Sequence, residues 1–279
     1  FISNLNYVNI ISIISLINFN KIKIILTERS SISELKYSYN LINKLKNNLI
    51  YFLAKILYKF SDLIITNSKF EKNYIQDNFR LDNVICIHPP SIKDIVRKKT
   101  NSNHKKRLNL IYVGRLSKEK GIFLILKALR NLSKKHKFLF NLYGDGPERK
   151  NIEKFIKKND LNKIISLKGF VKDKKTIFKN ADLFINASLW EGLPNALVQS
   201  INHNVFPICS DAPGGNMEVI KNGMFGLYFK TNDEKDLQKK IKKFFDKRLI
   251  LNNKNRINHL RNYTELKSNQ KYLNIINKL

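Results

Sequence analysis

Cysteine is nearly absent: Cys86 and Cys209 are the only two in 279 residues, each inside an apolar, strand-like run. Thiols so placed read as buried structural side chains, and neither a disulfide framework nor a metal-binding spacing is present. A long unbroken apolar run is lacking too. The opening Phe1–Leu26 is apolar but is interrupted by Asn4, Asn6, Asn9, Asn18, Asn20, Lys21 and Lys23, whereas a spanning helix needs about 20 mostly uninterrupted apolar residues. It reads instead as a helix over roughly Leu5–Ile17 followed by a buried strand, Lys21–Leu26. No signal peptide is visible, which gives the expectation of a cytoplasmic protein. The chain opens at Phe1 without an initiator Met and inside an apolar pattern, so a fragment with its N-terminus missing is expected. No internal repeat or low-complexity tract occurs.

Acidic residues are also scarce, 22 Asp+Glu against 52 Lys+Arg, for a formal charge of +30. Nucleic-acid binders concentrate such charge on one element and add a recognisable module. Here lysine is spread over nearly every predicted helix, alongside abundant Asn and Ile, which is the signature of an AT-rich genome. No nucleic-acid partner is therefore expected. Attraction to an anionic membrane surface is compatible with the same charge.

What is present is a core and a regular alternation. Apolar residues make up 43% of the chain, enough to exclude global disorder, and the length suits two domains. Strand candidates are Ile22–Leu26, Leu63–Thr66, Val84–His88, Asn109–Val113, Phe138–Tyr143, Ile164–Leu167, Leu183–Asn186, Phe206–Cys209 and Gly226–Phe229. Helical runs such as Tyr39–Phe60, Gly121–Ser133 and Glu148–Asn159 lie between them. The strands are β-branched without strict alternation, as in sheets covered on both faces. The pattern predicts an α/β fold with parallel sheets.

A boundary is expected near Pro89–Lys106, where two prolines are followed by a polar stretch with Thr100, Asn101, Ser102, Asn103 and His104. This divides the chain into a partial first domain (1–90), a linker (91–106), a nearly complete doubly wound domain (107–248) and terminal helices (249–279) able to pack back on the first domain.

Four strand-end loops carry the chemistry-bearing residues. After Leu110–Val113 comes Gly114-Arg115, then Lys118-Glu119-Lys120-Gly121 at a helix start. Ligands of open α/β sheets bind beyond the carboxyl ends of strands, and two cations there suit a diphosphate; a solvated basic loop is the plainer alternative. In Tyr143-Gly144-Asp145-Gly146-Pro147-Glu148 the glycines allow a tight turn and Pro147 suits a first helical position. The same glycines would let a ligand approach the backbone. The richest segment is Trp190-Glu191-Gly192-Leu193-Pro194-Asn195-Ala196-Leu197-Val198-Gln199. Glu191 falls in a strand-to-helix loop, and the amides of Asn195, Ala196 and Leu197 at the helix start form an anion site by geometry and dipole. Downstream, Ser210-Asp211-Ala212-Pro213-Gly214-Gly215-Asn216-Met217-Glu218 is a Gly-rich connector or a further ligand contact. The GxGxxG fingerprint is missing, which argues against a nicotinamide enzyme.

Together, Val113-Gly114-Arg115 with Glu119-Lys120-Gly121, Gly144-Asp145-Gly146-Pro147 and Glu191-Gly192-Leu193-Pro194 resemble the C-terminal domain of retaining GT-B glycosyltransferases, the large glycosyltransferase family 4. The resemblance covers about residues 107–230, and Phe60–Ser68 with Val84–Pro90 look like the end of that family's N-terminal domain. It implies two Rossmann-like doubly wound domains, the N-terminal one incomplete. It also implies that Arg115 and Lys120 neutralise a donor diphosphate and that Glu191 holds hydroxyls of the transferred sugar. Gln199 stands where the family has a second glutamate, which binds the ribose. Backbone around Asn195–Leu197 would hold the distal phosphate, and Gly169, Phe170 and Val171 resemble the base-side loop. Gly114, Gly144, Gly146, Gly192 and Leu193 complete the implied donor site.

No metal or other cofactor is implied, only a nucleotide-sugar co-substrate, with UDP expected from family frequency. The implied reaction is retaining transfer of a hexose or N-acetylhexosamine to a lipid-linked glycan in surface-polysaccharide assembly (O-antigen, capsule or a related polymer). That places the protein in the cytoplasm or at the cytoplasmic face of the inner membrane. Where many members carry a histidine, this chain has Thr27-Glu28-Arg29-Ser30, and the first strands and glycine-rich loop of the N-terminal domain are missing. The alternatives are an inactive or truncated donor-binding remnant, suggested by Gln199, and a GT-B sugar-nucleotide epimerase, which Glu191-Gly192-Leu193-Pro194 disfavours.

Overall fold

The β-branched runs pair into two separate sheets, parallel throughout. In the computed structural model, which describes residues 1–36, 41–97, 107–251 and 254–278, the first sheet has four strands in the order β1-β2-β3-β4. These are β1 (Ile2–Asn4), β2 (Ile25–Glu28), β3 (Leu63–Thr66) and β4 (Val84–Cys86). The second has six, in the order β10-β9-β8-β5-β6-β7. They are β5 (Leu108–Val113), β6 (Phe138–Tyr143), β7 (Ile165–Gly169), β8 (Leu183–Asn186), β9 (Phe206–Ser210) and β10 (Leu227–Phe229). From β5 the chain winds one way through β6 and β7. It then returns to the other side of β5 and continues through β8, β9 and β10. The winding reverses between β5 and β8, the position where open α/β sheets bind ligands.

Eleven α-helices are described: α1 (Asn6–Leu16), α2 (Leu41–Leu57), α3 (Lys69–Phe79), α4 (Ile122–Leu132), α5 (Arg149–Lys158), α6 (Lys174–Phe178), α7 (Asn195–Asn202), α8 (Asn216–Val219), α9 (Glu234–Lys247), α10 (Arg256–Leu260) and α11 (Glu265–Ile276). Helix α4 shows why they form. Ile122, Ile125, Leu126 and Leu129 recur at helical spacing and are all buried, each such side chain contributing about 2 kcal/mol relative to exposure. Helices α3, α9 and α11 open on Ser68, Asp233 and Thr264, whose side chains accept backbone amides of the first turn. Tyr272 and Ile275 of α11 pack on Ile25 and Ile65 of the first sheet and on Ile87 just beyond β4, so the chain's end covers its beginning.

The structure departs from expectation at three places. The short strand β1 has no counterpart among the strand candidates. The strand placed at Ile22–Leu26 begins only at Ile25, because the Ile22 amide closes a turn onto Phe19 O at 2.9 Å. Pro147 lies in the turn ahead of α5 rather than at a first helical position. The helix expected from Tyr39 is seen from Leu41; Tyr39 and Asn40, like the linker residues Thr100–His104, lie outside the described residues.

Candidate active site

The loops after β5 and β8 flank the winding reversal, and each delivers charged side chains to it. Arg115 is exposed in the first loop. Lys120 ends a 3-10 turn whose following Gly121 starts α4. The second loop is tied to the first by the Leu189 amide, which donates to Glu119 O at 2.8 Å. Glu191 then faces Lys120, with Nζ to Oε1 at 2.8 Å.

Glu191 is fixed from beneath. Ser188 Oγ, fully buried, lies 2.7 Å from both Glu191 Oε1 and Asn186 Oδ1. Ser210 Oγ donates to Ser188 O, and Asn216 Nδ2 to Ser210 O, so a buried polar chain links β8 to β9. The Glu191 amide donates to Pro213 O at 3.0 Å. Gly214 lies directly against that loop: at φ +122°, a Cβ there would sit 1.7 Å from Glu191 O.

Two cavities meet at Arg115. One, of 360 Å³, is lined by Gly114, Arg115, Gly144, Asp145, Phe170, Val171 and Lys174. Phe170 is 76% exposed at its rim, an apolar ring without a packing role in the core. The other, of 580 Å³, runs between the two sheets. The second sheet's side supplies Arg115, Glu119, Lys120, Trp190, Glu191, Gly192 and Leu193, and the first sheet's side Arg29, Ser30, Glu34, Lys46 and Ile50. Gly192 marks the close approach of the halves: a Cβ there would lie 2.6 Å from Arg29 O.

Not every candidate reaches a cavity. Gly146 packs against the Leu116 carbonyl, and Gly169 accepts the Gly144 amide at 2.7 Å. Leu197 is fully buried, and its amide donates to Pro194 O at 2.9 Å. That leaves Asn195 and Ala196 as the amides of α7 with no intrahelical acceptor. Asn195 Oδ1 accepts Ser91 Oγ–H at 2.7 Å, and Gln199 Nε2 donates to Ser91 O at 3.0 Å. Both side chains thus hold the segment that joins the two sheets, and Gln199 lines neither cavity.

The sequence reading missed Ser188, Glu34, Lys46 and Lys174. Ser188 was within reach of it, being two residues beyond β8 in the loop that carries Glu191. Glu34 and Lys46 reach the cleft only through the docking of the two halves. Glu34 has a raised pKa, chiefly through burial, with Ser30 and Lys120 acting against the shift.

Two buried acids underlie the cleft. Glu28, fully buried, is pushed up to about 8 by burial, against the hydrogen bonds from Tyr58 and Asn9. Glu71 is pushed up to about 7 by burial, while Ser31 Oγ–H and the Ile32 amide hydrogen-bond its carboxylate. Further along the interface, Cys86, His88 and Glu218 bring three potential metal-ligand atoms within 4.8 Å of one another. His88 Nε2 and Glu218 Oε1 are already hydrogen-bonded at 2.7 Å, and Glu218 Oε2 accepts the Lys69 amide at 2.8 Å. Burial opposes ionisation of Glu218, but His88 and Lys69 hold its pKa below the usual value. His88 and Lys69 of the first half thus hold Glu218 of the second in a hydrogen-bonded clasp.

Comparison with known proteins gives the family and the fold. Residues 92–265 match the family described as glycosyl transferases group 1. The N-acetylgalactosamine-N,N'-diacetylbacillosaminyl-diphospho-undecaprenol 4-alpha-N-acetylgalactosaminyltransferase of Campylobacter jejuni is 27% identical over 85% of this chain and 64% of its own length. The chain spans about half to two thirds of the length of the curated relatives it matches. Among solved structures, the lipopolysaccharide outer core galactosyltransferase WaaB superposes with a TM-score of 0.78 at 15% identity, over 100% of this chain and 75% of that one. The pneumococcal O-GlcNAc transferase GtfA, solved with UDP and GlcNAc, gives a TM-score of 0.72 at 18% identity, over 92% and 52%. The fold is that of GT-B glycosyltransferases.

Proposed function

The chain belongs to the family of glycosyl transferases group 1, and we propose that it is a retaining, family 4 glycosyltransferase that moves a hexose or N-acetylhexosamine from a UDP-sugar to a lipid-linked glycan. The observation that carries this reading is Arg115, which borders both the 360 Å³ pocket and the cleft holding the Lys120–Glu191 pair. A nucleotide-sugar has the matching shape: a base against Phe170, a diphosphate between Arg115 and Lys120, and a sugar whose hydroxyls reach Glu191.

The chemistry breaks the bond from the anomeric carbon to the distal phosphate oxygen and forms one from that carbon to the acceptor oxygen on the same face, the hydroxyl proton passing to the departing diphosphate. Negative charge grows on the departing diphosphate, and Arg115 and Lys120 are already in place to receive it. Preorganised electrostatic stabilisation of this kind often does more than any other single effect to lower such a barrier. The amides of Asn195 and Ala196 add the dipole of α7. With cations supplied by side chains, the proposed reaction uses no metal. The acceptor enters from the side of Arg29, Glu34 and Lys46.

The lipid-linked acceptor is supported by the Campylobacter relative, whose name specifies an undecaprenol diphosphate glycan, and the UDP donor by the pneumococcal neighbour. Work on such an acceptor, in assembly of O-antigen, capsule or a related polysaccharide, places the protein at the cytoplasmic membrane face. The test is incubation with UDP-hexoses and UDP-N-acetylhexosamines together with polyprenyl-diphosphate glycans, following UDP release and glycolipid mass. Acceptor-dependent UDP release supports the reading, and its absence across the panel counts against it. The engagement of Gln199 with Ser91 favours a second reading, donor binding without turnover. That reading predicts a UDP thermal shift with no product.

A further inference from the structure

The clasp between the halves brings together groups with a second use. Cys86 closes β4 and His88 follows two residues later, a spacing that puts both side chains on one side of an extended chain. There they meet Glu218, from α8 of the second half. One ligand-type atom of each lies within 4.8 Å of the other two, and the His88 and Glu218 side chains are only 7% and 16% exposed. Glu218 is 130 positions from His88 in sequence, so no local spacing announces the set. Its members line neither cavity of the candidate active site.

One polar atom of the set is left over. His88 Nδ1 is buried and has no hydrogen-bond partner among the described residues; a buried group in that state calls for an explanation, and an ion is one. With Nδ1 uncommitted, Glu218 alone fixes the ring proton on Nε2. Moving that proton to Nδ1 opens the Nε2 lone pair to a cation. The donor set is then a thiolate, a neutral imidazole and a carboxylate, which suits zinc with a water as fourth ligand. Magnesium and calcium call for oxygen ligands instead. A tetrahedral zinc ion sets such atoms about 3.3–3.6 Å apart. The 2.7 Å His88–Glu218 contact would therefore open and the thiol close in, each by on the order of 1 Å.

We infer that Cys86, His88 and Glu218 bind one zinc ion that ties the two halves together. Binding sends the Cys86 thiol proton to solvent and replaces the hydrogen bond between His88 and Glu218 with a metal bond to each. The ion would also steady the loop that carries Glu191. Residues 213–215, just ahead of α8, pair with that loop: the Glu191 amide donates to Pro213 O at 3.0 Å and the Gly215 amide to Gly192 O at 2.9 Å. The site is structural and separate from the reacting groups, so it stands whether or not the glycosyl-transfer reading does.

The test is calorimetric titration of the chelator-treated full chain with zinc and with magnesium, beside cobalt(II) substitution followed by absorption. Cys86→Ser, Glu218→Gln and Cys209→Ala variants are run in parallel, with circular dichroism on each. The parent should take up one zinc per chain without comparable uptake of magnesium, gain Tm as zinc is added, and show a thiolate-to-cobalt charge-transfer band. Cys86→Ser should lose the band, and both it and Glu218→Gln should bind zinc at least about tenfold more weakly, since even a residue that only supports a metal ligand is worth that much. Cys209→Ala should match the parent. If Cys86→Ser fails to fold, a band kept by Cys209→Ala still assigns the sulfur to Cys86, because the chain has only two cysteines. No zinc uptake by the folded parent overturns the inference. So does equal zinc affinity in a folded Cys86→Ser variant, or uptake by the parent without a thiolate band, which would put the metal on other surface groups.

Discussion

Lys120 Nζ and Glu191 Oε1 lie 2.8 Å apart across the point where the second sheet reverses its winding. The two residues are 71 positions apart in sequence and come from loops of adjacent strands. Both are partly shielded, with side chains 23% and 13% exposed, so their attraction is screened less than that of a surface pair. The pair anchors a cation beside a carboxylate, at the spot where the proposed mechanism puts the sugar–phosphate bond.

Replacing Lys120 with Ala removes the cation and leaves Glu191 with Ser188 as its partner. Under the proposed mechanism, kcat should fall by about 10²–10³, the usual cost of losing one charge-stabilising donor. Arg115→Ala should act on both kcat and UDP affinity, because Arg115 borders the nucleotide pocket as well as the cleft. Steady-state kinetics with UDP-sugar, beside UDP titrations, separates the two. Activity within about twofold of the parent in either variant would remove that cation from the mechanism.

Phe170 tests the nucleotide pocket independently of the chemistry. Its ring is exposed and lies outside the core, so Phe170→Ala should leave Tm within about 1 °C, as expected of a surface substitution. Stacking of a base on an aromatic ring contributes about 1–2 kcal/mol, so the variant should bind UDP roughly 5–30-fold more weakly. Phe170→Tyr should restore binding. A calorimetric titration showing equal affinity for parent and Ala variant would move the base elsewhere.

Much of the second half was legible from sequence because parallel strands write local signals. The runs Phe138–Tyr143 and Leu183–Asn186 coincide with the observed strands, and the loops after them carry Gly144 and Glu191. The first half was harder to read. Strand β1 is three residues long, below the length at which β-branched runs stand out, and the strand containing Leu26 is shifted by a turn closed through the Phe19 carbonyl. The approach of Arg29, Glu34 and Lys46 to Glu191 depends on domain docking, which no local pattern encodes. The hydrogen bond from Gln199 to Ser91 is of the same kind: position 199 was readable, the direction of its side chain was not.

The two buried acids give the protein a pH dependence of definite sign. Glu28 is raised from an ordinary 4.5 to about 8, and Glu71 to about 7. Between those values the folded state holds protons that the unfolded chain has released, so their contribution to stability is full below pH 4.5 and is lost as pH rises. Each carboxyl costs at most about 1.4 kcal/mol per pH unit over its window. Between about pH 7 and 8 Glu28 is the one still titrating. Glu28→Gln keeps the shape without the ionisation and should flatten the urea-unfolding curve of stability against pH in that interval. Parallel curves for parent and variant would mean that the carboxyl is ionised, or exposed, in solution.

Gln199 is the residue at which position and contact diverge. Its Nε2 donates to Ser91 O at 3.0 Å, tying α7 to the segment between the sheets. Gln199→Glu replaces that donor with a carboxylate, which repels the same carbonyl. Losing a partly buried hydrogen bond costs about 1–3 kcal/mol, or roughly 2–4 °C of Tm per kcal/mol in a chain of this size. A carboxylate released from Ser91 would be free to turn toward the ribose hydroxyls, so UDP affinity should rise while Tm falls. Gln199→Ala is the control, with the same loss of Tm and no gain in affinity. If the Glu and Ala variants bind UDP alike, residue 199 acts only as a tether between the halves, and ribose recognition belongs to other groups of the pocket.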